Sequence, residues 1–366
     1  MFTLLSLLLI AYAALHVLFY HALVAAFAPP RIVRFTLRWL LPLLFCAPLI
    51  TRSLDRIEHE RLALLLGVPA YFWMCGLLWF SMFWVPFLLA RGITRRPVLP
   101  ARSAFYTISG IVALLGIYGW REAHDLHIEQ VHIPCAHFPA GRPPLRIALL
   151  SDLHWDVHRN HRLLAQGAAQ IKTLQPDLIL SAGDLADSPH CLSDAAQFAT
   201  LRAPLGKYAV LGNHEYYLGL RYALPFHERS GFTLLRQTAR EIAPGIWLAG
   251  VDNQAGHYFR QPCFSDERAA LAGIPTNVCV ILLKHEPRVA AHLPADLVLS
   301  GHTHHGQVFP FHLLVRWLYP NFTGLHQLDQ RTQIYITRGI GTWGPPFRLF
   351  APPEITLLIL ESPSSR

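Results

Sequence analysis

Residues 62–90, LALLLGVPAYFWMCGLLWFSMFWVPFLLA, carry no charged side chain. A helix needs about 20 apolar residues to cross a bilayer. Surrounded by hydrocarbon, a backbone must also satisfy its polar groups internally, which leaves a helix as the form for such a run. Trp73, Trp79 and Trp84 lie within it. Residues 2–28 are almost continuously apolar, too long and too closely followed by further apolar segments for a cleaved signal peptide. Residues 103–120 form a shorter span in which Gly110, Gly116 and Gly119 offer small surfaces for helix contact. The segment 35–51 is short and holds Arg38, Pro42 and Pro48, so the count is three or four spans, and four is the reading taken here. Runs this long with so few charges argue against a hydrophobic soluble domain.

Charge divides the chain in the same way. Residues 1–120 hold ten Lys or Arg against three Asp or Glu, and the remainder 21 against 20, so nearly all of the net +8 lies among the membrane flanks. A basic face for nucleic acid is therefore not expected in the C-terminal part. With four spans, the loops 29–38 and 91–102 share one side and hold seven Arg. The positive-inside rule then puts those loops in the cytoplasm and the C-terminal part outside it. Three spans would reverse the assignment. The expected organisation is a transmembrane region at 1–120, a linker and edge strand at 121–144, and a second domain at 145–366.

Histidine is concentrated in that second part, with 18 of 21 after residue 120. Cys46, Cys75, Cys135, Cys191, Cys263 and Cys279 are scattered without a C-x-x-C pair, which indicates neither a zinc knuckle nor a disulfide framework. Residues 127–133 alternate like an edge strand, and 145–151 read as a buried strand. Strand-like runs then end repeatedly in polar clusters, with helix-like stretches such as 159–174 and 188–202 between them. Late strands (IYITRG, PPEITLLILE) lack clear helices between them. This is an α/β pattern with mixed sheets facing each other and helices outside, and it gathers functional groups at the carboxyl ends of strands.

Five clusters follow in order: Asp152-Leu-His154, Gly183-Asp184, Gly212-Asn213-His214-Glu215, His285, and Gly301-His302-Thr303-His304. Each supplies oxygen or neutral imidazole nitrogen, donors that divalent Mn, Fe or Zn accept. D-x-H leaving a strand can aim both side chains at one ion, and a carboxylate such as Asp184 can bridge two. H-x-H offers one ligand to each metal of a pair. Glycines before Asp184, Asn213 and His302 suit tight turns. Singly each motif is weak; all five in order, each after a strand, are a strong signal.

SDLHWD, AGDLAD, LGNHEYY, LLKHEP and SGHTHHGQV together resemble the calcineurin-like metallophosphoesterase superfamily, and TRGIGTWGPPFRLFAPPEITLLIL resembles its membrane-attached bacterial branch. The resemblance spans roughly residues 127–360. It implies a four-layer α/β/β/α sandwich, here preceded by a multi-pass membrane region in a bacterial plasma membrane. It implies that Asp152, His154 and His304 hold a first metal, that Asn213, His285 and His302 hold a second, and that Asp184 bridges them. His214 would then serve the substrate phosphate as the catalytic residue. Two divalent ions about 3.5–4 Å apart activate a hydroxide and clamp an in-line displacement, so no serine or cysteine nucleophile is needed. Glu215 either orients His214 or is a solvated carboxylate at a helix start.

The branch usually reads G-H-T-H-G-G-Q, and His305 stands where its first glycine of that pair would be. It either crowds the loop or puts an imidazole near the phosphate. Arg338 and Arg348 are candidate contacts to a substrate phosphate or head group. The G-x-G-x-x-G at 339–344 follows a strand without opening a helix, which excludes a dinucleotide site. His124, His127, His132 and His137 read as one strand face and a linker rather than a second metal site. Residues 310–320, PFHLLVRWLYP, read either as an amphiphilic lid meeting the bilayer or as a buried connection.

The expected activity is hydrolysis of a phosphate ester or pyrophosphate, with phosphodiesters among the candidates, on a phosphorylated and lipid-linked substrate among membrane lipids. Two alternatives stand beside it. One is cleavage of the UDP-diacylglucosamine pyrophosphate in lipid A synthesis, whose cytoplasmic substrate conflicts with an outward domain. The other is a non-catalytic membrane scaffold that binds a phosphorylated ligand.

Overall fold

A computed structural model describes residues 2–57, 59–94, 99–156 and 161–363. Arg95, Arg96 and the start of the helix expected at 159–174 lie outside the described residues. Contacts divide the chain into two units. One is Met1–Arg121 with Gly344–Phe347, and the other is Glu122–Trp343 with Arg348–Arg366.

The first unit is built on four helices: α1 (Phe2–Phe27), α2 (Arg31–Arg56), α3 (Glu60–Thr94) and α4 (Ala101–Glu122). All four are long and apolar enough to cross a membrane. The doubtful segment 35–51 lies inside α2, which runs unbroken through Pro42 and Pro48. Apolar side chains lie on the outside of this unit as well as within it: Ile32, Trp39 and Leu65 are each about 70% exposed. Water would penalise such a surface and hydrocarbon does not. Inside, Phe80 stacks on Trp84 and packs with Ala22, Ala104 and Ile108. Trp73 donates to His16 Nε2 at 3.0 Å, which gives a buried-side indole its acceptor. Of the three α4 glycines only Gly119 is buried; a side chain at Gly110 or Gly116 would meet open space, so those two are not closely packed within the chain.

The second unit contains two six-stranded sheets. Its strands are β1 (His127–Pro134), β2 (Leu145–Leu150), β3 (Leu178–Ser181), β4 (Lys207–Ala209), β5 (Thr233–Leu234), β6 (Thr238–Ala243), β7 (Ile246–Gly250), β8 (Cys279–Leu283), β9 (Leu297–Ser300), β10 (Gly324–Gln327), β11 (Gln333–Ile336) and β12 (Glu354–Glu361). One sheet has the order β1-β12-β2-β3-β4-β5 and the other β10-β11-β9-β8-β7-β6. Both are mixed. β2, β3, β4 and β5 run parallel, while β12 is antiparallel to β2 and parallel to the edge strand β1.

Alternation along the strands builds the layers. Ile147 and Leu149 of β2 face Ile281, Leu283, Leu297 and Leu299 in a core between the sheets. The intervening Ala148 and Leu150 pack outward against Leu163, Leu164 and Ile171 of α5 (His161–Leu174). On the far side Val280, Leu282 and Val298 pack outward against Leu271. Each such aliphatic side chain contributes about 1.5–3 kcal/mol on burial. The stretch 188–202 is not one helix. Pro189 opens a 3-10 turn, Pro189–Ser193, capped by Ser188, and a short helix Ala195–Ala199 follows. Asp194 at the break accepts from Trp155 Nε1 at 3.1 Å.

Residues 310–320 form a helix, Phe311–Leu318, with no buried residue. Trp317 is 77% exposed. The buried-connection alternative therefore does not describe it. His127, His132 and His137 do not gather either: they lie beside Asp125, Glu361 and Asp296 respectively.

Candidate metal centre

Every one of the five clusters leaves the carboxyl end of a strand. Asp152 and His154 follow β2, Asp184 follows β3, Asn213 and His214 follow β4, His285 follows β8, and His302 and His304 follow β9. Asp152, His154, Asp184, His302 and His304 themselves take positive φ, between 48° and 72°. L-residues visit that region rarely and at a cost, which surrounding structure must hold in place. The adjoining glycines at 212 and 301 act by lacking a side chain. A Cβ on Gly212 would overlap Asp184 Oδ1, and one on Gly301 would overlap Asp152 Oδ2 and Ser151 Oγ.

The side chains converge on two adjacent foci. At the first, His154 Nε2 and His304 Nε2 face each other at 2.8 Å, with Asp152 Oδ1 3.4 Å from His304 Nε2. At the second, His285 Nε2 lies 3.1 Å from His302 Nδ1 and 3.1 Å from Asp184 Oδ2. Asp184 Oδ2 also lies 3.8 Å from His154 Nε2, so a single oxygen faces both foci. The other oxygen, Oδ1, accepts from the His214 backbone N–H at 2.8 Å. Asp184 would therefore reach both foci through the same carboxylate oxygen.

These residues fit a pair of cations. Imidazole nitrogens held this close share either a proton or a cation, and Asn213 Oδ1 is a buried acceptor with no hydrogen-bond partner among the described residues. Electrostatics point the same way. Burial opposes charge on Asp184, yet His285 and His214 hold its carboxyl far below the usual range. Burial also opposes protonation of His285, but Asp184 beside it raises its pKa to about 10. Burial, then the charge on His285, pushes His302 down to about 4. Burial raises Asp152, with Asp184 adding to it against His285. Without a cation, a proton on His285 does part of the neutralising.

Asp187 was overlooked in the sequence. It accepts from His214 Nδ1 at 2.8 Å, and its other oxygen lies 3.5 Å from His154 Nδ1. The signal was the second acid of AGDLAD, three residues after Asp184. Tyr217 and Trp343 flank the His214 ring at 4.9 and 5.8 Å between centroids. Gln307 clamps Trp343 there: its Oε1 accepts from Trp343 N at 2.8 Å and its Nε2 donates to Trp343 O at 3.1 Å.

Glu215 fills neither role considered for it. Fully buried, its carboxylate accepts from the backbone N–H groups of Gly212, Asp184, Leu185 and Ala186. It therefore staples the Asp184 loop to the Asn213 loop. His305 sits at φ 53°, ψ 29°, a left-handed position that explains a glycine preference there, and its ring packs 5.0 Å from Phe322. Burial, then Arg338, pushes its pKa down to about 4. Arg338 pairs with Glu129 and Glu354. Arg348 is wholly buried and donates to the carbonyls of Arg338, Gly339, Gly341 and Ala351. Arg338 is thus engaged with two carboxylates, and Arg348 with the 338–351 backbone and, at 3.3 Å, with Nδ1 of the candidate ligand His304.

Residues 145–306 match the family model of the calcineurin-like phosphoesterases. Over 256 residues, 69% of this chain, the sequence is 36% identical to an uncharacterized metallophosphoesterase of Aquifex aeolicus (strain VF5), of which it covers 98%. The chain belongs to the calcineurin-like metallophosphoesterase family. It is also similar to vertebrate proteins named as transmembrane proteins with a metallophosphoesterase domain. Identity is 31% over 292 residues with that of Danio rerio, across 75% of this chain and 67% of the relative. It is 32% over 290 residues with that of Bos taurus, across 74% and 64%. The chain is accordingly a phosphoesterase-type hydrolase, and its His and Asp clusters are the groups able to bind the divalent metal of a metallophosphoesterase.

Proposed function

We propose that this metallophosphoesterase uses two divalent ions, Mn, Fe or Zn, to hydrolyse a phosphate ester or pyrophosphate bond in a membrane-associated substrate. The observation that carries the reading is Asp184 Oδ2, one anionic oxygen facing two histidine foci. Bound there, two such ions supply Lewis acidity toward phosphoryl oxygens and activate water for in-line displacement. Asp152, His154 and His304 would hold one ion; Asn213, His285 and His302 would hold the other; Asp184 would be common to both.

His214 binds Asp187 through Nδ1, and its Nε2 is the atom we assign to the substrate. From there a protonated ring stabilises charge on the phosphoryl group or gives its proton to the leaving oxygen. Asp187 accepts from Nδ1 and fixes the ring. That dyad supports turnover over the scaffold alternative, because a protein that only binds phosphate needs no oriented acid. Tyr217 and Trp343 beside the ring exclude water from it.

The helix Phe311–Leu318 supports a substrate met at the membrane. It packs against the His304–Gly306 turn and exposes Phe311, Leu313 and Trp317. In a chain with four apolar helices able to cross a membrane, such a surface suits a lipid-linked substrate. The arginine distribution supports a catalytic unit outside the cytoplasm.

The deciding experiment is turnover of a generic phosphodiester and a phosphomonoester by the full-length protein in detergent, with and without Mn²⁺. Metal-dependent cleavage of either substrate is expected. A fully metal-loaded protein that cleaves neither, yet binds phosphorylated lipid, would overturn catalysis in favour of the scaffold.

A further inference from the structure

His302 uses both ring nitrogens. Nδ1 lies 3.1 Å from His285 Nε2, and Nε2 lies 3.1 Å from the Tyr319 hydroxyl. That hydroxyl lies in turn 2.9 Å from Glu286 Oε1. A carboxylate only accepts, so Tyr319 gives its one proton to Glu286, and its oxygen accepts from His302 Nε2–H. A neutral imidazole has a single N–H. Nδ1 is therefore bare, on the side that faces His285 and Asp184.

We infer that Tyr319 and Glu286 form a positioning relay that fixes the tautomer and ring orientation of His302 for metal binding. Ligating histidines characteristically need such a partner on the second nitrogen. The relay rests on the metal-centre reading above and adds two residues to it. Both ends are themselves anchored. Glu286 directly follows the candidate ligand His285, so one ligand's backbone carries the acceptor that serves the other. The Arg288 guanidinium lies 4.8 Å over the Tyr319 ring and 3.3 Å from Glu286 Oε1. Tyr319 also closes the exposed helix Phe311–Leu318. A displacement of that helix thereby moves the group that orients His302, which links the apolar surface to the metal focus.

The test uses the full-length protein in detergent, stripped of metal and titrated with Mn²⁺ against a buffered chelator, with bound metal counted by mass spectrometry. Tyr319→Phe keeps the ring and removes the hydroxyl. It is expected to weaken uptake about 10–100-fold at one focus, with the melting temperature of the metal-free protein unchanged. Glu286→Gln is expected to weaken it less, since the amide oxygen still accepts from Tyr319. A merely structural role for the hydroxyl would lower the metal-free melting temperature and leave Mn²⁺ affinity alone. Unchanged affinity in Tyr319→Phe overturns the relay. Should that variant melt lower without metal, Glu286→Leu, which removes the acceptor altogether, decides: weakened uptake at unchanged melting supports the relay, and wild-type uptake overturns it. A wild type that takes up no Mn²⁺ would overturn the metal-centre reading itself, which distinguishes the two failures.

Discussion

Asp184→Asn separates the metal centre from the fold that carries it. The new amide can keep its oxygen at the Oδ1 position, where it still accepts from the His214 backbone at 2.8 Å. Its NH₂ then replaces Oδ2, turning a donor toward His285 Nε2 and His154 Nε2, where an anionic acceptor stood at 3.1 and 3.8 Å. The loop does not depend on this carboxylate for its path, because Glu215 holds the backbone N–H groups of residues 184, 185 and 186. Removing one member of a buried charge pair costs about 3–5 kcal/mol. At about 1.4 kcal/mol per factor of ten, that is roughly a 10²–10⁴-fold loss of metal affinity. Because the same oxygen faces both foci, both steps of metal uptake are expected to weaken together. Metal content by mass spectrometry after dialysis, turnover of a phosphodiester, and melting of the metal-free protein are measured side by side. The expected pattern is loss of metal and activity in a protein that still folds, with metal-free melting lowered because protonated His285 loses its partner. Wild-type metal content and turnover in this variant would refute the shared-oxygen centre.

Three further outcomes follow from the same geometry. His214→Ala is expected to lower kcat by about 10²–10⁴-fold while metal content stays at the wild-type level; an emptied site in the mass spectrum would make His214 a ligand instead. His285, raised to about 10, carries a proton in the metal-free protein at neutral pH, so a cation at its Nε2 must expel it. Metal uptake should therefore strengthen as pH rises toward 10 and weaken as it falls, with proton release seen by calorimetry in two buffers of different ionisation enthalpy; uptake without proton release contradicts this. Replacing Leu314 and Trp317 by Ser should reduce turnover of a lipid-linked substrate and spare a water-soluble phosphodiester; equal loss of both, together with a lower melting temperature, would make the helix Phe311–Leu318 a structural element.

Donor type and position made the candidate ligands legible. Asp152, His154, Asp184, Asn213, His285, His302 and His304 each leave a recognisable strand, and strand ends are where α/β sheets collect chemistry. The four apolar helices were legible for a similar reason, since hydrocarbon permits few backbone forms. What escaped the sequence was support. Asp187 stood within a quoted motif, but its partner His214 is 27 residues away and nothing local pairs them. Tyr319 looked like part of an amphiphilic run, and only the folded loops bring its hydroxyl to His302. The glycines drew notice as turns, and Gly183 does take positive φ, but five of the ligands take the left-handed backbone as well. Arg338 and Arg348 were singled out because an arginine beside glycines suits a phosphate. The same guanidinium suits a ring of carbonyls equally well, and Arg348 has four of them. A side chain that must face an ion is restricted to a few chemical types, so its type is evidence. One that must hold backbone, such as Glu215, differs in no local way from a solvated surface carboxylate until the loops close around it.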